Sequence, residues 1–326
     1  MLPKNEKQRI EFLVITELSK NTGFGNLVRD IEIAKRFELL GPTRLIIINE
    51  VEGSTPRFLT SANFNFIYIY KTINSAIKDV GALNYVLIDS PTPLAQQMVN
   101  EIKFAFPLSK VIGLDYFQDS SKLDLRISLF DQQTLSFKSN SSTHKVGLDF
   151  AILSDHVATV ANEKSEGHKR NANILVKFSG GNSTLFEVVT LHARRIFEKN
   201  GYKILALNNS ETATSESHFK KQEEFLSLLL ECSLYIGSGV TTLLECAILE
   251  TPCFFIGSNQ LELSFAAALS AEEKFHYLDP TSLDFERQLT SSLSNFLARE
   301  SDASFIPKIS VDTSGAQRLV DLLVKL

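Results

Sequence analysis

Residues 233–250 read SLYIGSGVTTLLECAILE and contain one complete strand–loop–helix unit. Ser233–Ile236 is a short apolar run that suits a buried strand, and Thr241–Glu250 has the residue types and spacing of a helix. The Gly-Ser-Gly sequence at 237–239 lies between them, and its two glycines let the backbone turn tightly. A strand that leads through a short loop into a helix is the repeating unit of a parallel α/β sheet.

The same alternation recurs along the chain and predicts two α/β domains of similar size with a cleft between them. Strands are predicted at Phe12–Ile15, Leu45–Ile48, Asn65–Ile69, Tyr85–Ile88, Lys110–Leu114, Asn173–Phe178, Tyr202–Leu207, Ser233–Ile236 and Cys253–Ile256. Further helices are predicted at Thr184–Lys199 and Glu223–Leu230. Ala158–Asn171 has no apolar periodicity and is interpreted as an interdomain linker. We therefore expect domains at residues 1–160 and 172–310, with a C-terminal helix in residues 311–326 that packs back on the first domain.

Composition and charge argue against several classes of protein. The 326 residues carry 33 Lys+Arg and 38 Asp+Glu, a formal charge of −5, without a basic stripe, so nucleic acid is not an expected partner. Three cysteines are too few for a disulfide framework or a four-ligand zinc site, and we expect neither a metal nor a cofactor. The charged N-terminus and the absence of an apolar run of about 20 residues predict a cytoplasmic protein without a transmembrane segment.

Three loops in the second half have compositions suited to ligand binding. The loop at 236–245 leads into a helix whose free N–H groups favour a phosphate or diphosphate, and Glu245 on that helix can accept hydrogen bonds from ribose hydroxyls. A capped helix with a solvated Glu245 is the alternative. The other two loops offer an anion cradle and a carboxamide pair for a base or sugar, although plain polar turns would explain both. The candidate residues of all three loops are Gly180, Gly181, Asn182, Ser238, Gly239, Thr241, Thr242, Glu245, Asn259 and Gln260.

In the first half, a glycine-containing loop and two acids follow predicted strands. Gly23 and Gly25 precede an amphipathic helix and let the backbone approach a ligand, or form a plain turn. Asp89 and Asp115 each follow an apolar strand and should meet at the same edge of the sheet. A carboxylate there can act as a general base or hold a sugar hydroxyl, and helix or turn capping is the alternative.

The order of these motifs resembles the PseG/SpsG family of UDP-sugar hydrolases, relatives of the MurG-like GT-B glycosyltransferases. Gly23-Phe24-Gly25-Asn26-Leu27-Val28-Arg29 is similar to the family's G-x-G-H-x-x-R loop. Further collinear similarities are found at Leu87–Ser90, Ile112–Asp115, Gly147–Leu153, Ile174–Asn182, Ser238–Glu245 and Asn259–Gln260. The resemblance extends over about residues 12–320 and implies a GT-B fold of two Rossmann-like domains, with a UDP-sugar nucleotide on the second and the sugar or acceptor on the first.

The resemblance fails at the family's catalytic histidine, whose position is Asn26 here. An asparagine cannot take up a proton near neutral pH, and all six histidines lie at or after His144. Asn26 can still position water or a sugar oxygen, while Arg29 matches the loop pattern. The base would then be Asp89 or Asp115.

The chain is expected to be a glycosyltransferase acting on a glycan or small acceptor, or a diverged UDP-sugar hydrolase of surface-glycan or nonulosonic acid biosynthesis. The alternatives are an inactive nucleotide-sugar-binding homologue or partner subunit, and a scaffold that binds neither.

Overall fold

The computed structural model describes residues 11–18, 25–49, 67–81, 83–90, 92–115, 121–131, 139–140, 143–163, 169–178, 183–207, 218–270, 274–299 and 303–326. The strands are β1 (Phe12–Leu18), β2 (Thr43–Asn49), β3 (Ile67–Tyr70), β4 (Tyr85–Asp89), β5 (Lys110–Leu114), β6 (Leu125–Ser128), β7 (Ser139–Asn140), β8 (His144–Val146), β9 (Asn171–Lys177), β10 (Lys203–Leu207), β11 (Cys232–Gly237), β12 (Cys253–Phe255) and β13 (His276–Tyr277). The helices are α1 (Gly25–Glu38), α2 (Ile73–Lys78), α3 (Leu94–Ala105), α4 (Asp155–Glu163), α5 (Ser183–Phe197), α6 (His218–Glu231), α7 (Val240–Ile248), α8 (Gln260–Ser270), α9 (Phe285–Ala298) and α10 (Gly315–Leu323).

The first sheet has the strand order β3-β2-β1-β4-β5-β6-β8-β7. Its described pairings are parallel except for the pairing of β7 with β8. The central strands are buried on both faces, because helices cover each side of a parallel sheet, and their runs of Val, Ile and Leu suit that burial. Since β1, β4 and β5 are adjacent and parallel, their carboxyl ends lie side by side at one edge.

The second sheet has the order β10-β9-β11-β12-β13, and its described pairings are all parallel. The order reverses direction at β9, since β10 lies on one side of it and β11 on the other. Loops that leave neighbouring strands at such a reversal diverge to opposite faces and open a crevice at the carboxyl ends of the strands. The loops after β9 and β11 are therefore where this topology favours a ligand.

The last helix lies against the first half of the chain. Ala316, Leu319, Val320 and Leu323 recur at helical spacing and are buried with residues of α1 and the first sheet. Gly315 begins this helix, and a Cβ added to it would lie 2.0 Å from the Ala151 carbonyl oxygen. A glycine is therefore needed for α10 to approach the backbone this closely.

The interpretation of Ala158–Asn171 as a linker is wrong at both ends. Helix α4 continues to Glu163, and β9 begins at Asn171. The helix forms because Val157 and Val160 present a narrow apolar stripe that is buried with residues of α6. Two valines three residues apart are too short a pattern to identify as periodic in the sequence.

The other predicted strands and helices coincide with the centres of observed elements. The prediction at Lys110–Leu114 matches β5 end to end, whereas β1 extends three residues beyond the predicted Phe12–Ile15. Residues 65–66 of the predicted third strand lie outside the described residues. Within the part of the chain that the structure describes, no helix is both long and apolar enough to cross a membrane.

Candidate functional site

Arg29 joins the two acids that were singled out in the first half. Its Nε and Nη2 atoms donate to Asp89 Oδ2 and Oδ1 at 2.9 and 2.6 Å, and its Nη1 atom donates to Asp115 Oδ2 at 2.6 Å. A two-pronged contact of this kind uses the planar guanidinium fork and is among the stronger ion pairs in proteins. Burial acts to lower the pKa of Arg29, but Asp89 and Asp115 raise it above its ordinary value. Arg29 therefore stays charged and holds the two carboxylates in one place.

The sheet topology positions these three side chains. Asp89 is the last residue of β4, Asp115 directly follows β5, and Arg29 is in the second turn of α1. Asp115 has a φ of +46°, a left-handed conformation that aspartate tolerates better than most residues. Its backbone N–H donates to Ile127 O at 2.8 Å, and its Oδ1 accepts from Leu129 N at 3.3 Å. Asp115 is thus fixed by the neighbouring β6 as well as by Arg29.

The two aspartates differ in their access to solvent. Asp89 is completely buried, whereas the Asp115 side chain keeps 12% of its surface exposed. Burial raises the pKa of Asp89, and Arg29 opposes that rise. Asp89 therefore has no open surface for a substrate in this state, whereas Asp115 keeps a small open surface. Asn26, in the first turn of α1, is half-buried.

Two further buried acids lie at this edge, and sequence reasoning missed both. Glu17, near the end of β1, accepts hydrogen bonds from the Ser90 hydroxyl at 2.7 Å and from Thr92. Asp30 follows Arg29 on α1 and is completely buried. The available signal for Asp30 was its position on the apolar face of α1, three residues after Leu27.

At the carboxyl edge of the second sheet, the last residue of β9 is hydrogen-bonded to the loop that follows β11. The Lys177 carbonyl accepts from Ser238 N at 3.2 Å, and the buried Tyr235 hydroxyl lies 3.0 Å from the same oxygen and 2.8 Å from Ser238 O. A Cβ added to Gly237 would lie 1.8 Å from the Lys177 carbonyl oxygen, so no other residue fits there. Gly239 has a φ of +102° and precedes α7. The glycines therefore allow the close approach of two loops at the start of a helix.

The start of α7 offers hydrogen-bond donors without a side-chain cap. The N-cap residue of α7 is Gly239, which has no side chain with which to cap the helix. The first N–H groups of a helix have no partner within the helix, and the helix dipole adds partial positive charge there. Ser238 and Thr242 are buried at this end, while Thr241 is exposed. This end of α7 can hold an anion such as a phosphate.

Glu245 lies one turn further along α7 and is only 3% exposed. Within the described ranges its carboxylate has no hydrogen bond and no cation within 4.0 Å, and Lys177 is the charged group that acts on it. The Lys177 ammonium lies 3.8 Å from the centre of the Phe225 ring, a cation–π contact. Burial raises the pKa of Glu245 to about 7, and Lys177 opposes the rise. Glu245 is therefore a buried carboxylate that accepts no hydrogen bond from another described residue.

Of the remaining candidate residues, Asn259 and Gln260 lie at the start of α8, and Gly25 lies at the start of α1. Asn259 is exposed and caps α8, because its Oδ1 accepts from Glu262 N at 3.0 Å, and the exposed Gln260 begins that helix. Glu262 in turn accepts from the backbone N–H and the hydroxyl of Ser258, both at 2.7 Å. Gly25 is the first residue of α1. The residues of the other predicted loops that lie outside the described residues are Gly23, Gly180, Gly181 and Asn182.

Comparison with known proteins identifies the fold. No protein-family model and no curated protein matches the chain. Among solved structures, it is similar to the UDP-GlcNAc 2-epimerase from Neisseria meningitidis bound to UDP-GlcNAc, with a TM-score of 0.67, 8% identity, and coverage of 97% of this chain and 100% of that one. It is also similar to the S. aureus MnaA–UDP co-structure, with a TM-score of 0.63, 10% identity and 95% coverage of both chains.

A third similar structure is the spinosyn rhamnosyltransferase SpnG complexed with thymidine diphosphate, with a TM-score of 0.52, 11% identity and 96% coverage of both chains. These neighbours have GT-B folds and are described with UDP-GlcNAc, UDP or thymidine diphosphate as the bound ligand. Identities this low establish the architecture and not the activity. The chain has a GT-B fold, built from two Rossmann-like halves with mostly parallel sheets.

Proposed function

We propose that this chain is an enzyme that binds a UDP-sugar and transfers or hydrolyses its sugar. The observation that carries the proposal is the buried carboxylate of Glu245, which has no hydrogen bond to another described residue and lies one turn beyond the Gly239 N-cap of α7. An anion-binding helix end followed by a buried acceptor matches a diphosphate followed by a ribose. The similarity to GT-B enzymes that act on nucleotide-sugars supports the same assignment.

In this proposal the nucleotide occupies the carboxyl edge of the second sheet. The diphosphate accepts hydrogen bonds from the N–H groups at the start of α7, and the ribose hydroxyls donate to Glu245. Ser238, Gly239, Thr241 and Thr242 shape the loop around the diphosphate. Three candidate residues, Gly180, Gly181 and Asn182, are assigned to the phosphate loop after β9. Two more, Asn259 and Gln260, are assigned to the uracil end.

The ribose contact predicts discrimination between UDP and 2′-deoxy-UDP. A hydrogen bond to a charged group contributes about 1.5–3 kcal/mol, so at pH 8, where Glu245 with a pKa of about 7 is mostly ionised, the native chain should bind UDP about tenfold or more tightly than 2′-deoxy-UDP in calorimetric titrations. Glu245→Ala should weaken UDP binding by a similar factor and abolish the difference between the two ligands. Glu224→Ala, which changes an exposed glutamate of α6, should leave both affinities unchanged. Equal affinities of the native chain for the two nucleotides would refute the ribose assignment.

The reaction is proposed to occur at the carboxyl edge of the first sheet. Asp115 is the general base, since of the two predicted acids, Asp89 and Asp115, it is the one with an open surface, and Arg29 fixes its orientation. Asn26, which cannot itself accept a proton, positions the attacking water or acceptor hydroxyl. The loop with Gly23 and Gly25 is assigned to the sugar. The molecule that accepts the sugar distinguishes the two reactions. If a glycan or a small hydroxyl compound accepts it, the chain is a glycosyltransferase. If water accepts it, the chain is the hydrolase that the family resemblance implies.

Loss of the Asp115 base should abolish turnover without abolishing binding. With a panel of UDP- and CMP-sugars, alone and with candidate acceptors, Asp115→Asn should release nucleotide about 100-fold or more slowly than the native chain. Its affinity for UDP should stay within about twofold, because Asp115 is on the other sheet. Release that requires an acceptor identifies a transferase, and release without one identifies a hydrolase. Equal rates for the native and Asp115→Asn chains would exclude Asp115 as the base.

The alternative function is an inactive nucleotide-sugar-binding homologue or partner subunit. It is favoured by Asn26, which stands where the similar hydrolases have their catalytic histidine. In that case the native chain would bind UDP with the ribose selectivity described above but release no nucleotide from any sugar of the panel.

A further inference from the structure

Asp30 is a completely buried acid at the first-sheet edge. In the described part of the chain, neither of its carboxyl oxygens nor the buried Thr16 hydroxyl makes a hydrogen bond of good geometry. The groups that act on Asp30 are Asp89 from β4, Arg29 from its own helix and Thr16 from β1. A buried acid that faces a second acid and has no donor of its own needs an explanation.

The charges at this edge do not balance if every acid is ionised. Arg29 supplies one positive charge, which it already shares between Asp89 and Asp115. Glu17 aside, an ionised Asp30 would leave two negative charges uncompensated among Asp30, Asp89 and Asp115, at a cost that proteins avoid by protonating one carboxyl. Burial and the neighbouring Asp89 raise the pKa of Asp30 well above its ordinary value, and Arg29 opposes the rise only in part.

We propose that Asp30 is a neutral acid in the folded protein, and that its carboxyl O–H donates a hydrogen bond to Asp89. Asp89 already accepts two hydrogen bonds from Arg29, and an ionised carboxylate has about four acceptor sites, so one further donor can be accommodated. Asp30 then holds Asp89 in place, Asp89 holds the guanidinium of Arg29, and Arg29 holds Asp115. Asp30 is a positioning residue, because it has no surface for a substrate.

The positioning of Asp115 rests on the proposed function, whereas the proton on Asp30 follows from the first sheet alone. Residues 1–143 contain no histidine. The proton on Asp30 would explain how Asp89, Asp115 and Arg29 nevertheless keep a fixed geometry there. It also explains why a polar residue occupies a position of α1 that otherwise faces the apolar core.

Carboxyl-carbon NMR of the full chain labelled at aspartate tests the proposal without any ligand. Near pH 7 the native chain should show one neutral aspartate signal, and Asp30→Asn, which keeps a donor to Asp89, should lose that signal. The matched control is Asp124→Asn: Lys103 and Val111 N–H hydrogen-bond to Asp124 and lower its pKa, so this variant should lose an ionised signal instead. Aspartates that are all ionised in the native chain, or a neutral signal that survives Asp30→Asn, would overturn the proposal.

Stability against pH gives a second readout that a merely structural role would not change. The pKa of Asp30 is higher in the folded than in the unfolded chain, so unfolding releases its proton, and stability falls as pH rises above about 4. The Tm of Asp30→Asn should therefore fall less between about pH 5 and pH 8 than the Tm of the native chain. Parallel curves for the two chains would overturn the proposal. If the native chain or the Asp30→Asn variant releases no nucleotide, that result contradicts the proposed function and leaves the proton on Asp30 unaffected.

Discussion

Arg29→Met is expected to lower the free energy of unfolding by about 3–5 kcal/mol, because it removes the cation from a buried cluster of acids. Among the described residues, no other cation lies within ion-pair distance of Asp89 or Asp115. Removing one partner of a buried pair leaves the other charge without compensation, which costs more than the pair itself contributes. Urea denaturation at neutral pH measures the loss.

A matched control lies on the same helix. Arg36 pairs with Asp155 at 2.6 Å, but this pair is largely exposed, so Arg36→Met should cost no more than about 1 kcal/mol. A double variant, Arg29→Met with Asp89→Asn, should recover part of the stability lost in Arg29→Met, because it also removes a buried negative charge. Equal free energies of unfolding for Arg29→Met and Arg36→Met would show that the buried ion pairs of Arg29 stabilise the fold no more than the exposed pair of Arg36.

Arg170→Met is expected to lower the free energy of unfolding by about 3 kcal/mol, although Arg170 lies far from either candidate site edge. The guanidinium donates to backbone carbonyls at the ends of α6 and α7, namely those of Leu229, Leu230, Cys232, Leu249 and Glu250. The last carbonyls of a helix have no partner within it, and a cation there also interacts favourably with the helix dipole. One side chain thus caps two helices beneath the second sheet.

The control for this prediction is the preceding residue. Lys169 is exposed, and Lys169→Met should change stability by no more than about 0.5 kcal/mol. Arg170→Lys should be intermediate, because an ammonium cannot reach both helix ends as the planar guanidinium does. Thermal or urea denaturation of the three variants distinguishes them. Equal stability of Arg170→Met and Lys169→Met would show that the five carbonyls find other partners at little cost.

The sequence predicted the strand centres well, because a buried parallel strand is a short apolar run with few alternatives. Lys110–Leu114 matches β5, and the loop before Glu245 leads into α7 as expected. The failure at Ala158–Asn171 has a physical cause, since α4 depends on packing against α6 rather than on a pattern of its own.

Long-range contacts account for most of what the sequence did not reveal. Asp89 and Asp115 were expected at the same sheet edge, but the ion pairs that Arg29 makes with both were not predicted, because they depend on how α1 packs against adjacent β4 and β5. Arg170 stayed unnoticed because its partners lie 59 to 80 residues further along the chain. Asp30 was not singled out from the sequence, although its position three residues after Leu27 places it on the buried face of α1.

A crystal structure of the chain with UDP bound tests most directly whether the second sheet holds the nucleotide. We predict that the diphosphate lies at the start of α7, within hydrogen-bond distance of its first N–H groups, and that a ribose hydroxyl donates to Glu245. UDP bound elsewhere on the chain, or no bound UDP at saturating concentration, would contradict the assignment of this chain as a UDP-sugar enzyme.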